Sequence, residues 1–165
     1  MPGSGKTTVA RALADKLRLP LVTKDDIKER LYDELGTGDI AWSRHLGGAA
    51  YALLFEFCRE LLAVGLSVSA EGNFFAGSQE GQVAALPPHR LVQVVCTAPL
   101  DVLIERYTGR TRHPGHVDSD RANELRERFD SGAHRALGLG GEVIELDTTG
   151  RVDIAGLAER IRAGS

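Results

Sequence analysis

Hydrophobic residues follow two alternating patterns along the 165-residue chain. Short apolar or β-branched runs predict four buried strands, at 19–23, 66–71, 90–96 and 142–146. Between these runs, apolar residues recur every three or four positions, which predicts helices, the first of them starting near Gly5. Strands that alternate with helices indicate a three-layer α/β fold, in which helices cover both faces of a parallel sheet. Ligands of such sheets bind at the carboxyl ends of the strands.

The composition fits a single domain over residues 1–165, because 42% of the residues are hydrophobic and no linker or repeat divides the chain. The formal net charge is −3, so no general positive field would attract nucleic acid or an anionic membrane. No run reaches the roughly 18 apolar residues of a membrane span. Cys58 and Cys96 lie in apolar patterns and are predicted core residues; the lack of a disulfide framework favours the cytoplasm.

The first residues, MPGSGKTT, match the second half of the phosphate-binding loop pattern G-x-x-x-x-G-K-[ST], and an amphipathic helix follows at once. Glycines let the N–H groups of such a loop point inward, and the start of the helix adds its positive dipole end. Lys6 is predicted to reach the β- and γ-phosphates of ATP, and Thr7 to bind the Mg²⁺ that bridges them. The nucleotide-binding segment then comprises Gly3, Ser4, Gly5, Lys6, Thr7 and Thr8.

Two carboxylates follow the first predicted strand, in the sequence LVTKDDIK. Asp25 is the candidate catalytic base, because a carboxylate at this edge could accept the proton of an attacking hydroxyl or orient that hydroxyl toward the γ-phosphate. Asp26 competes for the same role, or caps the helix that begins near Ile27. Lys24 and Lys28 could help to hold a substrate anion, and a solvated helix face explains them nearly as well.

The strand predicted at 66–71 ends in Glu71, and Gly72 and Asn73 follow it. An acid at this point commonly receives Mg²⁺ through water, so Glu71 is a candidate metal ligand; alternatively, it binds substrate or a neighbouring loop. Asn73 could contact the substrate or simply form the turn.

A segment rich in Gly, Pro, Arg and His covers 107–120 and has no apolar period, which predicts an exposed connection. We interpret 106–120 as a lid that brings cations to the transferred phosphoryl group; the alternative is a solvated basic loop without a partner. The charged candidates in this segment are Arg106, Arg110, Arg112, His113 and His116.

With these motifs, the chain resembles the P-loop kinases of the predicted-kinase or zeta-toxin-like group, which includes the chloramphenicol phosphotransferases and the kinase domain of polynucleotide kinases. The segment VTKDDIK is similar to the one in which the first aspartate activates the acceptor hydroxyl, which implies this role for Asp25. The segment ERYTGRTRHPGH is similar to the lid of that group, which implies phosphate or nucleotide contacts for Arg106, Arg110 and Arg112.

The resemblance also implies a strand before the phosphate loop, in the middle of the sheet between the strands predicted at 66–71 and 90–96. A central strand buries four or five apolar side chains that are worth about 1.5–3 kcal/mol each, so its loss would be costly. We therefore expect that Met1 is not the natural start, and that an apolar strand ending in Gly precedes it. The four remaining parallel strands should leave a gap beside the phosphate loop.

Motifs and resemblance together predict a cytoplasmic, ATP-dependent phosphotransferase that uses Mg²⁺ and acts on a hydroxyl of a small molecule. Lys6, Asp25 and Arg110 would serve catalysis. The resemblance further implies that the loop after the last strand, with Thr148 and Thr149, lies near adenine. One alternative is a kinase for the 5′-hydroxyl of nucleic acid, which the negative net charge and the 5% aromatic content disfavour. The other is a nucleotide-binding switch or toxin-like module without small-molecule turnover.

Overall fold

In the computed structural model, the described residues form four short parallel strands in two separate pairs. The strands are β1 (Leu21–Thr23), β2 (Ser69–Glu71), β3 (Val92–Thr97) and β4 (Glu142–Asp147). β1 pairs with β2, and β3 pairs with β4. The structure describes residues 1–109, 111, 113–116, 121–132 and 135–164, and within them no backbone pairing joins β2 to β3. The predicted parallel strands and the predicted break in the sheet are therefore confirmed.

Helices connect the strands, as the alternating pattern predicts. They are α1 (Lys6–Leu17), α2 (Lys24–Leu35), α3 (Ile40–Ala63), α4 (Glu80–Ala84), α5 (Leu100–Gly109), α6 (Arg121–Asp130) and α7 (Ile154–Ala163). None of these described helices combines the length and the hydrophobicity that a membrane span requires. β2 begins at Ser69 rather than at residue 66, because the N–H of Leu66 still closes the end of α3 by donating to the Leu61 carbonyl oxygen.

The connection predicted at 107–120 begins later than expected, because α5 continues to Gly109. Leu103 and Tyr107 lie one helical turn apart and are both buried in a cluster with residues of α6. This packing fixes the last turn of α5 as helix. Arg106 therefore projects from a helix and not from a loop. Arg110 and Arg112 lie outside the described residues, so their lid role stays a prediction.

Separate apolar clusters pack the helices onto the two strand pairs. Leu13 of α1 and Ile144 of β4 belong to a cluster that α7 completes over the β3–β4 pair. Leu54 and Cys58 of α3 belong to a second cluster, which includes side chains of β1. Cys58 and Cys96 are both buried, as predicted, and burial raises the pKa of each thiol, so both stay protonated at neutral pH.

The substitution Leu54→Ala should lower the free energy of unfolding by about 2–5 kcal/mol, because it leaves a cavity at a core position. Leu54 is fully buried, at 0% exposed, whereas its neighbour Leu53 is 38% exposed. Leu53→Ala is therefore the matched control and should cost no more than about 1 kcal/mol. Urea denaturation of the two variants measures the difference. Equal losses would show that α3 does not pack through the face that carries Leu54.

Candidate active site

The phosphate loop adopts a left-handed backbone conformation at two glycines. Gly3 has φ 76° and Gly5 has φ 71°, values that residues with a Cβ rarely adopt. Ser4 between them is buried, and its hydroxyl donates to the carbonyl oxygen of Met1 at 2.8 Å. α1 starts directly after Gly5, so its unpaired N–H groups and positive dipole end belong to the loop. This geometry fits an anion such as the phosphate chain of a nucleotide.

Glu71 joins the phosphate loop to β2. Its Oε1 lies 3.5 Å from the Lys6 ammonium, and its Oε2 accepts a hydrogen bond of 3.2 Å from the Thr7 hydroxyl. The Glu71 side chain is buried, so bulk solvent screens this ion pair only weakly. The structure thus brings Glu71 together with Lys6 and Thr7, two predicted site residues that lie 64 or more positions earlier in the chain.

Oxygen atoms suited to Mg²⁺ converge at the same point. Mg²⁺ is usually held by one or two carboxylates together with waters and substrate phosphates, and a phosphate-loop hydroxyl is a further ligand. Thr7 and Glu71 supply one hydroxyl and one carboxylate here. In the described part of the chain, no cluster of three or more His, Cys, Asp or Glu side chains could hold a metal by itself. The residues therefore fit a magnesium ion whose coordination is completed by phosphate oxygens and water.

Asp25 lies at the start of α2, two residues beyond the strand residue Thr23. Thr23 is the register partner of Glu71, so β1 and β2 end at the same edge of the sheet. Glu71 is the last residue of β2, and Asp25 follows the end of β1 at that edge. The Lys24 ammonium lies 3.0 Å from Asp25 Oδ1, and their side chains are only 12% and 29% exposed. The candidate base is therefore a carboxylate held beside a cation at the edge that carries the phosphate loop.

Tyr51 of α3 lies against this pair. Its hydroxyl donates to the carbonyl oxygen of Asn73 at 2.6 Å, and its ring centroid lies 5.7 Å from the Lys24 ammonium. Burial and then the negative charges of Asp25 and Glu71 raise the pKa of Tyr51, so the phenol stays a hydrogen-bond donor. Sequence reasoning did not single out Tyr51, because it falls within the apolar repeat of α3 and has the pattern of a core residue.

Asn73 offers a further polar group next to these residues. Its side-chain oxygen is buried and has no hydrogen-bond partner within the described residues. Its backbone carbonyl oxygen already accepts a hydrogen bond from the Tyr51 hydroxyl. An amide oxygen without a donor is costly when buried, so this atom is suited to a hydroxyl or N–H of a ligand.

Asp26 has a different environment from Asp25. Its carboxylate lies 3.2 Å from Arg11 in an exposed ion pair. The cap of α2 is Thr23, whose hydroxyl accepts a hydrogen bond of 3.2 Å from the backbone N–H of Asp26. The prediction that Asp26 caps a helix beginning near Ile27 is therefore wrong, because the helix begins three residues earlier and a threonine supplies the capping oxygen.

A cavity of about 400 Å³ lies beside the phosphate loop, between α1 and the segment that follows β4. Its apolar wall is formed by Val9, Ala12, Val152 and Ile154. Arg106 and Thr148 contribute the polar side. Mainly apolar cavities with a few fixed polar groups are typical ligand sites, and this one suits a flat heterocycle such as adenine. The apolar wall was not predicted, because these residues also have the pattern of ordinary core positions.

Hydrogen bonds connect this cavity to the loop. The buried Thr148 hydroxyl donates to the Ser4 carbonyl oxygen at 2.9 Å and lies 3.0 Å from the Thr97 carbonyl oxygen. Arg106 donates to the Thr148 carbonyl oxygen at 3.0 Å, which holds its guanidinium at the cavity. Thr149 instead donates through its N–H and its hydroxyl to Asp147, which lowers the pKa of that carboxyl.

The described part of the predicted lid contacts α2. His113 lies 3.1 Å from Asp33, and His116 lies 3.1 Å from Glu29. The Tyr32 ring lies between them, stacked on His113 at a centroid distance of 5.5 Å and edge-on to His116 at 5.7 Å. This segment therefore lies on the helix that also carries Asp25.

Comparison with known proteins agrees with this geometry. A family model described as an AAA domain matches residues 1–131. A crystal structure of a "putative kinase" from Chloroflexus aurantiacus superposes with a TM-score of 0.90 and 36% sequence identity, over 99% of this chain and 93% of that chain. This likeness supports an α/β P-loop fold of the kinase-like type.

Curated relatives are also similar over nearly the whole chain. Uncharacterized proteins of Mycobacterium bovis and Mycobacterium tuberculosis are 29% identical over 96% of this chain. The chain spans 31% of the length of these relatives.

The substitution Gly3→Ala should weaken nucleotide binding and lower the melting temperature. An added Cβ at Gly3 would lie 2.5 Å from the Leu103 carbonyl oxygen, on top of the strain of a positive φ. Gly36→Ala is the matched control, because Gly36 has φ 84° but no atom within 4 Å of an added Cβ. Calorimetric ATP titration and thermal melting compare the two variants. If Gly3→Ala bound ATP as tightly as Gly36→Ala, the close approach of the loop to Leu103 would not matter for binding, contrary to this prediction.

Proposed function

Because the chain belongs to the AAA domain family and has a kinase-like P-loop fold, we propose that it is an ATP-dependent kinase that phosphorylates a hydroxyl of a small molecule. The observation that carries this proposal is that four predicted site residues lie at one edge of the sheet. Lys6 and Thr7 meet Glu71 there, and Asp25 follows the strand that pairs with β2. A phosphate cradle next to a partly exposed carboxylate is the arrangement that phosphoryl transfer to an alcohol requires.

In this proposal the residues of the phosphate loop bind and orient the triphosphate. The N–H groups of the loop and the Lys6 ammonium would hold the phosphate oxygens, and Thr7 and Glu71 would hold Mg²⁺ directly or through water. When bound, Mg-ATP supplies the phosphoryl group and the metal that neutralises its developing charge. Lys6 would exchange its contact with Glu71 for the β- and γ-phosphates, which would leave the Glu71 carboxylate available to hold the metal.

Asp25 acts on the acceptor. The acceptor oxygen forms a bond to the γ-phosphorus, the bond from that phosphorus to the β–γ bridging oxygen breaks, and ADP leaves. Asp25 accepts the proton that the hydroxyl loses, and Lys24 beside it orients the carboxylate. Asn73 and Tyr51 line the same edge and could orient the acceptor.

The nucleotide base would occupy the cavity next to the loop. Thr148 and Arg106 lie in that cavity, and the mainly apolar wall suits the faces of adenine. In the same proposal, Arg110 and Arg112 of the lid contact the phosphates as cations.

The cytoplasm, which supplies ATP and Mg²⁺, is the proposed location, and residues 1–165 form one kinase-like domain in this proposal.

Lys6→Ala should weaken ATP binding and abolish transfer, because it removes the cation built into the phosphate cradle and leaves Glu71 without its ion pair. Isothermal titration with Mg-ATP and an ADP-release assay measure the two effects. Lys16→Ala is the control on the same helix, since Lys16 is exposed at the far end of α1. Unchanged ATP affinity in Lys6→Ala would remove the basis for the loop assignment.

Asp25→Asn should leave Mg-ATP binding nearly intact and lower turnover by about 10²-fold or more, the usual scale for loss of a positioned base. Asp26→Asn is the matched control and should do less, because Asp26 pairs with an exposed arginine. A screen of alcohol acceptors for ADP release supplies the substrate for this comparison. Equal activity of the two variants would show that the base is misassigned, and ATP binding without acceptor-dependent ADP release would indicate a nucleotide-binding module instead of a kinase.

A further inference from the structure

The end of the phosphate loop and the start of α1 present a row of backbone N–H groups. The N–H groups of Gly5, Lys6, Thr7 and Thr8 donate to no acceptor within the described residues. Together they can bind an anion only if each one points at it, because a hydrogen bond weakens steeply when its donor is misdirected. The contacts that fix the direction of these N–H groups are therefore part of the chemistry of the site.

Gly5 is the donor of this row that its own backbone fixes least. It lies just before α1, and a residue without a Cβ can adopt both signs of φ. Its N–H belongs to the peptide bond that joins Ser4 to Gly5, and this bond is trans. In a planar trans peptide the C=O and the N–H point in opposite directions. A group that holds the Ser4 carbonyl oxygen on one side of the loop therefore aims the Gly5 N–H to the other side.

The Thr148 hydroxyl holds that carbonyl oxygen. It donates to the Ser4 carbonyl oxygen at 2.9 Å, and the described part of the chain makes no other hydrogen bond to this oxygen. The hydroxyl also lies 3.0 Å from the Thr97 carbonyl oxygen, which already accepts the Thr148 N–H at 3.0 Å. A hydroxyl has one proton to donate, and a buried carbonyl oxygen without a donor is costly. The proton is therefore best used on Ser4.

Thr148 is itself fixed from both sides of its backbone. Its N–H donates to the Thr97 carbonyl oxygen at 3.0 Å, and its own carbonyl oxygen accepts a hydrogen bond of 3.0 Å from Arg106. The residue is 7% exposed, and a Cβ added at Gly5 would lie 3.6 Å from its Cβ. Thr148 thus meets the loop as a rigid support just beyond the end of β4.

We propose that Thr148 is a positioning residue for the phosphate loop, whose hydroxyl turns the Ser4–Gly5 peptide so that the Gly5 N–H points at the phosphates of the nucleotide. Thr148 then acts on the phosphate end of the nucleotide through Ser4, although it also lines the cavity proposed for adenine. The inference rests on the proposed function for the identity of the anion as a nucleotide triphosphate. The positioning itself is tested by binding alone.

The first experiment follows the amide resonances of protein with ¹⁵N-labelled glycine during two titrations. Magnesium tripolyphosphate probes the loop through the Gly5 amide, and adenosine probes the cavity through the Gly150 amide. The variants are Thr148→Val, which keeps the shape and loses the hydroxyl, and Thr148→Ser, which keeps the hydroxyl. Thr149→Val is the matched control, because the Thr149 hydroxyl donates to Asp147 and not to the loop.

Tripolyphosphate should shift the Gly5 amide proton of the wild type downfield, because this N–H donates to a phosphate oxygen. In Thr148→Val the affinity for tripolyphosphate should fall about tenfold or more, the scale for one hydrogen bond to a charged group, while the affinity for adenosine stays unchanged. Thr148→Ser and Thr149→Val should behave as the wild type. If Thr148→Val does not fold, Thr148→Cys takes its place, since a thiol is only a weak donor.

Three results would overturn the proposal. Unchanged affinity of Thr148→Val for tripolyphosphate would show that the hydroxyl does not prepare the loop. An equal loss of both ligands would indicate a general structural role, and a loss of adenosine alone would indicate a contact with the nucleotide base. A wild type that does not bind tripolyphosphate would refute the proposal together with the assignment of the loop.

Turnover separates this inference from the kinase proposal, because binding of tripolyphosphate needs no acceptor. Tripolyphosphate binding that depends on the Thr148 hydroxyl, without ADP release to any acceptor, leaves the positioning role standing and refutes the kinase function. With an active acceptor, Thr148→Val should raise the KM for ATP about tenfold, and Thr148→Ser should restore it. An unchanged KM for ATP in Thr148→Val would overturn the positioning role and leave the kinase function standing.

Discussion

The buried carboxylate of Glu71 is the contact on which the candidate site depends. It receives both the Lys6 ammonium and the Thr7 hydroxyl, and so fixes the start of α1 against the end of β2. Since Thr23 is its register partner, the same contact sets the distance between the phosphate loop and the start of α2. A charge buried in this way is stable only while its partners stay in place, which makes the loop geometry and the strand edge interdependent.

A second contact ties the loop to the other strand pair. Thr148, just beyond β4, donates to the carbonyl oxygen of Ser4, and so the loop is held from β2 by Glu71 and from β4 by Thr148. The two pairs share no backbone hydrogen bonds in the described residues, and these side-chain contacts with the loop connect them. Each pair contributes one part of the candidate site: the β1–β2 pair carries the candidate catalytic carboxylate, and the β3–β4 pair carries the cavity that we propose for the adenine ring.

Local sequence signals predicted the parts of this arrangement that depend on local chemistry. The phosphate loop, the position of Glu71 at a strand end and that of Asp25 just beyond one follow from turn, helix and strand patterns. Tyr51 was missed because an apolar repeat does not distinguish a core tyrosine from one beside two carboxylates. The helical position of Arg106 was missed because the packing of Tyr107 against α6 is a long-range effect that the Gly- and Arg-rich sequence does not show.

The charges at the site explain why its three lysines should have different roles. Lys6 and Lys24 each form an ion pair with a carboxylate, at 3.5 Å and 3.0 Å, so an incoming phosphate must compete with Glu71 or Asp25 for them. In the proposed mechanism, that competition would couple nucleotide binding to the release of Glu71, which would then be free to hold a metal. Lys28 has no such competitor among the described residues, where its ammonium contacts a neutral hydroxyl and a neutral ring. The position of Lys28 therefore depends on the packing of α2 against α3 and not on an ion pair with a carboxylate.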